Sequence, residues 1–108
     1  MNLVKKDEVF QLKDLIAIEG GKILTEQLVD NDAIKMVLKS FDAGMQLPEH
    51  TAQGTALVFC LEGEGVITNA GVEYPLHSGD NFVFVSGVLH SVRAVTGLKI
   101  AVILVKER

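Results

Sequence analysis

His50 and His90 are the residues of this 108-residue sequence best suited to chemistry. A neutral imidazole ligates divalent ions, and with a reference pKa of about 6.5 it also takes or gives a proton on a bound substrate. Each histidine closes a glycine-bounded segment: Gly44 to His50, and Gly79 through Gly87 to His90. Other donors are scarce. Gln53 reads as a polar residue at the edge of a loop. Cys60 stands among Val58, Phe59 and Leu61, the setting in which a free thiol behaves as a small buried hydrophobe. His77, on the approach to the Ser78-Gly79 turn, is expected to face solvent. Glu49 neighbours His50 but has the opposite strand parity, so it is expected to point away. Glu62 and Glu64 flank Gly63 as a solvated turn rather than an acid/base pair. No Ser/His/Asp triad follows from the spacing, and Gly63-Glu64-Gly65 precedes no helical pattern and so forms no phosphate loop.

Strands must position these groups. Fourteen valines fall in short runs separated by turn signals at Gly20-Gly21, Asp30-Asn31-Asp32, Asn69-Ala70-Gly71, Ser78-Gly79-Asp80 and Thr96-Gly97. Ile34, Met36 and Leu38 alternate with Lys35, Val37 and Lys39, which predicts a strand with the first set buried and the second wet. Leu57–Leu61 and Phe82–Val85 are apolar on both faces, as strands covered on both sides would be, and Leu98–Val105, nearly continuous apart from Lys99, reads as a central strand. Only Val9, Leu12, Leu15 and Ile16 show helical spacing, enough for a single turn. Evenly spaced strands of this kind make an all-β sandwich, jelly roll or small barrel. On an unbroken pleat His50, Ala52, Ala56, Val58 and Cys60 share one face, and Phe82 shares a face with Phe84. Val83 and Val85 would then point outward onto another layer.

Composition narrows the function classes. The net charge of −4, with no basic cluster beyond Lys5-Lys6, lacks the footprint that phosphate neutralisation needs, so nucleic acid is excluded as the expected ligand. The longest aliphatic run, Ile100–Val105, falls far short of the ~20 residues of a membrane helix, and no membrane partner is expected. The lone cysteine forms no internal disulfide, and Met1–Glu8 carries no apolar leader, so a reducing cytoplasm is the expected location. A 48% hydrophobic content supports one core and one domain.

The stretch from Gly44 to Gly63 resembles the first motif of the cupins: Gly, five residues, His-x-His, a few residues, Glu, six residues, Gly. Gly44, His50 and Gly63 fill their slots, but Ala52 stands at the second His and Ala56 at the Glu. The second motif, Gly, five residues, Pro-x-Gly, two residues, His, three residues, Asn, is matched by Gly79, Gly87 and His90, with Val85 for the Pro and Ala94 for the Asn. Glu49-His50-Thr51-Ala52 and Phe10-Gln11-Leu12-Lys13-Asp14-Leu15 are similar to a subgroup of small single-domain bacterial cupins. The resemblance implies a double-stranded β-helix, or jelly-roll barrel, over residues 1–108, with an N-terminal arm to about residue 20 and a barrel core from about 33 to 105.

In that family three His and one Glu hold a divalent metal at the barrel mouth. Here the resemblance implies at most His50 and His90 as ligands, for Zn, Ni, Mn or Fe, and a tight site would need a further donor, for which Gln53, Cys60 and His77 are the candidates. No cofactor follows from the residues alone. With the ligands thinned, His50, Ala52, Ala56, Cys60, Phe82, Phe84 and His90 are expected to line a pocket for a small apolar or aromatic molecule. Three classes stay open: a binding protein without chemistry, a metal-dependent dioxygenase, isomerase or decarboxylase, and an interaction subunit on a barrel scaffold. Small cupins dimerise through packed sheets, and apolar outer faces and sheet edges that need cover give a physical reason to expect a homodimer.

Overall fold

The computed structural model describes residues 4–107; residues 1–3 of the expected arm lie outside the described residues. A single 3-10 turn over Leu12–Leu15 precedes eight strands: β1 Ile23–Asp30, β2 Ile34–Phe41, β3 Gly54–Glu62, β4 Glu64–Asn69, β5 Val72–His77, β6 Asn81–Phe84, β7 His90–Ala94 and β8 Leu98–Lys106. They form a five-stranded sheet in the order β1-β2-β8-β3-β6 and a three-stranded sheet in the order β5-β4-β7, all pairs antiparallel. This is the all-β jelly roll.

The turns follow from their residues. Asn31 joins β1 to β2 by accepting, through Oδ1, the backbone N–H groups of Ala33 at 2.9 Å and Ile34 at 3.0 Å. Ala70 and Gly71, at φ +50° and +80°, make the two-residue β4–β5 hairpin whose twist suits its strands.

The main core lies between the sheets, where Phe41, Val58, Leu98 and Ile100 of the larger meet Ile67 and Val92 of the smaller. A second cluster covers the outer face of the larger sheet. There Ile16, with Leu12 and Leu15, packs on Leu28, Leu38, Ala101, Phe59 and Leu61. The arm is tied down by Ser40 Oγ, which donates to the Ala17 carbonyl at 2.7 Å, and by Lys99 Nζ, which donates to the Lys13 carbonyl at 2.7 Å.

That cover explains why β3 and β8 are apolar on both faces, and it revises the reading of β2. Leu38 and Met36 are buried or half-buried against the arm, on the outside of the barrel. The face of Lys35, Val37 and Lys39, expected to be wet, is the one that turns into the barrel: Val37 is buried, Lys39 half-buried and Lys35 exposed at the rim. Val83 and Val85 meet no further layer among the described residues and are exposed.

Candidate functional site

Cross-strand register places the site. Directly opposed residues share a face, so Lys35–Leu104–Ala56–Phe84 forms one row across β2, β8, β3 and β6. Val37–Val102–Val58–Phe82 forms the next, and Lys39–Ile100–Cys60 the third. The opposite wall is β7, with His90 and Val92 facing in. Between the walls lies a cavity of about 370 Å³, in the range of small-molecule sites.

His50 reaches this cavity by a route that simple pleat parity does not describe. The segment from Gly44 to His50 runs beside β7 as an irregular extra strand. Gly44 N–H donates to the Ala94 carbonyl at 2.9 Å, Leu47 N–H to Val92 at 3.0 Å, and His50 and His90 exchange backbone bonds at 3.0 and 2.9 Å. β3 starts only at Gly54, whose φ of +140° breaks the pleat between His50 and Ala56. A Cβ there would also collide with the Val105 carbonyl. His50 therefore stands on the wall of His90.

The two rings meet edge to face with centroids 4.4 Å apart. His50 Nδ1 lies 2.9 Å from the Pro48 carbonyl and His90 Nδ1 lies 3.0 Å from the Val88 carbonyl. A carbonyl only accepts, so these contacts assign the proton to Nδ1 in both neutral rings and leave both Nε2 lone pairs free. His50 is exposed at the mouth, whereas His90 is buried and stacks on Phe84. Burial pushes the His90 imidazole below its ordinary pKa; the Val88 carbonyl opposes this shift, and nearby His50 adds to it.

Of the residues expected to line the pocket, His50, Ala52, Ala56, Phe84 and His90 do so. Cys60 and Phe82 do not. Both have the inward parity, but parity fixes a face and not a depth. Cys60 is buried in the core with Sγ toward the Glu62 and Gly63 carbonyls, and burial pushes its thiol up, away from reactivity. Phe82 lies beside Phe84, ring centroids 5.3 Å apart, and beside Tyr74 at 5.1 Å. His77 is exposed, 3.4 Å from Asp80. The sequence reading missed Lys35, Lys39 and Thr25, which line the cavity, with Lys39 Nζ donating to Thr25 Oγ1 at 3.0 Å. The signal for them is Val37, an apolar residue set between the two lysines on the face that alternation predicts to be wet.

A divalent ion fits these residues poorly. Ala52 and Ala56 offer methyl groups, and among the described residues no third His, Cys, Asp or Glu joins His50 and His90. Gln53, expected as a further donor, is exposed and outside the cavity lining. The ammonium groups on the β2 wall also oppose a cation. Among the described residues no carboxylate lines the cavity to orient either imidazole for acid/base work.

An antiparallel barrel with glycine-bounded histidines at one mouth defines the cupin class of protein. The cupin domain model matches residues 37–106, and the chain belongs to that family. A conserved protein of unknown function from Streptococcus pyogenes is 26% identical, with TM-score 0.93, covering 99% of this chain and 94% of its own. A cupin superfamily protein from Desulfitobacterium hafniense is 23% identical, with TM-score 0.93, covering 97% and 96%. A cupin 2 conserved barrel domain protein from Leptotrichia buccalis is 33% identical, with TM-score 0.87, covering 90% of this chain but 47% of that one. No functionally curated protein matches the sequence. Among the described residues no helix is long and apolar enough to cross a membrane.

Proposed function

We propose that this cupin is a binding protein for a small organic molecule with an apolar body, held in the barrel and oriented by His50 and His90. One observation carries the reading: a cavity of about 370 Å³ whose floor is aliphatic and whose free imidazole nitrogens belong to two histidines at one mouth. Each Nε2 accepts a hydrogen bond, so a hydroxyl or N–H on the ligand would fix its orientation, while Phe84 offers a flat surface beside His90.

The test is a fragment screen read by amide NMR on the labelled protein, with elemental analysis of protein purified without chelator or metal-affinity resin. The expected result is that fragments shift the amides of Ala56, Val58 and His90. Fragments that bind only elsewhere would overturn the reading. Stoichiometric metal lost on substitution of His50 and His90 would replace it with a metal-dependent enzyme.

We also propose that two copies pair through the outer face of the larger sheet. Supporting this, Leu57, Ile103 and Val83 form one outward row across β3, β8 and β6, Val83 is 50% and Val85 61% exposed, and β6 is a free sheet edge.

A further inference from the structure

The charge of the cavity runs against that of the molecule. The chain carries 14 acidic residues against 10 Lys and Arg, yet among the described residues the lining holds Lys35 and Lys39 and no Asp or Glu. Among the described residues neither lysine makes a salt bridge. Asp30 is paired with Lys35 in the β1–β2 register, but its carboxylate is taken by Lys106 Nζ at 2.6 Å. Lys39, half-buried, has only the neutral Thr25 hydroxyl. A partly desolvated ammonium with a neutral partner is costly unless an anion joins it.

We propose that the ligand is an organic anion whose carboxylate pairs with Lys39, while its apolar body lies along Val37, Val102 and Leu104 toward Phe84 and His90. This inference rests on the proposed binding function and adds a charge to its ligand. Lys35 and Lys39 have Cα atoms about 13 Å apart along the strand, so one carboxylate pairs with Lys39 and feels Lys35, at the rim, as a guiding field. Burial and the charge of Lys35 both push the Lys39 ammonium below its ordinary pKa, and an anion seated there offsets both. The aliphatic floor suits a monocarboxylate better than a phosphate or a sugar, which would leave polar groups unpaired against it.

The experiment titrates the labelled protein with benzoate and hexanoate, and with the neutral isosteres benzamide and hexanamide. The cavity amides and the Lys39 side chain report binding. The carboxylates are expected to bind about tenfold tighter than the amides, with the preference weakening as salt is added. Lys39→Met should abolish the preference and Lys39→Arg should keep it. Lys39→Gln serves in place of Lys39→Met if that variant loses its native spectrum. Equal binding of acids and amides, or a preference that survives removal of the Lys39 charge, would overturn the anion inference and leave the binding function standing. No shift of any cavity resonance by any of the four probes would overturn the binding function, and the anion inference with it.

Discussion

His90 lies flat on Phe84, with ring centroids 3.9 Å apart and planes 13° from parallel. Phe84 in turn touches Phe82, and Phe82 touches Tyr74, so an aromatic series runs from the exposed β5 edge to the cavity wall and ends at His50. Backbone pairing holds His90 opposite His50, the Val88 carbonyl fixes its ring, and Phe84 excludes water from one side. A histidine so placed binds well as a neutral ring and poorly as a cation.

Stability should therefore fall on mild acidification. The folded pKa of His90 is depressed below its unfolded value, so between the two values the unfolded chain binds a proton that the folded chain refuses. The contribution is complete above about pH 6.5 and is lost as pH falls from there through the folded pKa. Denaturant midpoints measured from about pH 7.5 to pH 5 should drop for the wild type. They should drop less for His90→Asn, which keeps an N–H for the Val88 carbonyl. An unchanged slope in the variant would show that His90 is not the group responsible.

Backbone conformation predicts a second contrast. Gly63, between β3 and β4, has φ +86°, and a Cβ there would run into the Gly97 carbonyl. Gly71 has a similar φ, +80°, but open space around it. Gly71→Ala should cost about 1 kcal/mol, the penalty of the left-handed conformation alone. Gly63→Ala should cost about 3 kcal/mol or more, because the turn between β7 and β8, which carries Gly97, must also move. Urea unfolding of the two variants checks the order, and equal losses would mean that the Gly63–Gly97 contact relaxes freely.

The jelly roll could be read from the sequence because turns are local signals: Asn31 and the Ala70-Gly71 hairpin each act within a few residues of themselves. The pairing of His50 with His90 was foreshadowed by the two motifs. The lysines were not, because period-two alternation separates two faces without saying which is inside. On β2 both faces are partly apolar, one under the arm and one in the barrel, and only the long-range pairing with β8 distinguishes them. Cys60 and Phe82 failed for the complementary reason: their rows are inward, yet they lie below or beyond the mouth.

Self-association gives a third prediction. The arm covers one end of the outer face, whereas Val83, Val85 and Val105 at the other end stay exposed. Light scattering at micromolar concentration should give twice the chain mass. Val83→Lys with Val85→Lys should give the monomer, since one charge on the edge strand β6 and another just past its end oppose pairing. A wild-type monomer would refute the proposed dimer.

Restoring the missing ligands should restore metal affinity. Ala52 and Ala56 line the cavity with His50 and His90, and the motif resemblance implies that they stand in the slots of a second His and a Glu. A third imidazole and one carboxylate would complete a nitrogen-and-oxygen donor set, and the carboxylate would supply the negative charge that two neutral rings lack. It would also offset the repulsion from Lys35 and Lys39. Ala52→His with Ala56→Glu should therefore bind Zn, Ni or Mn with higher affinity than the wild type, measured by calorimetry on metal-stripped protein. The bound metal should raise the melting temperature of the variant, because it binds the folded state alone. In the same variant the carboxylate preference should weaken, since the new Glu repels the anion that Lys39 attracts. Equal metal affinity in variant and wild type would mean that Gly54, by breaking the pleat ahead of β3, keeps residues 52 and 56 from converging on the histidines.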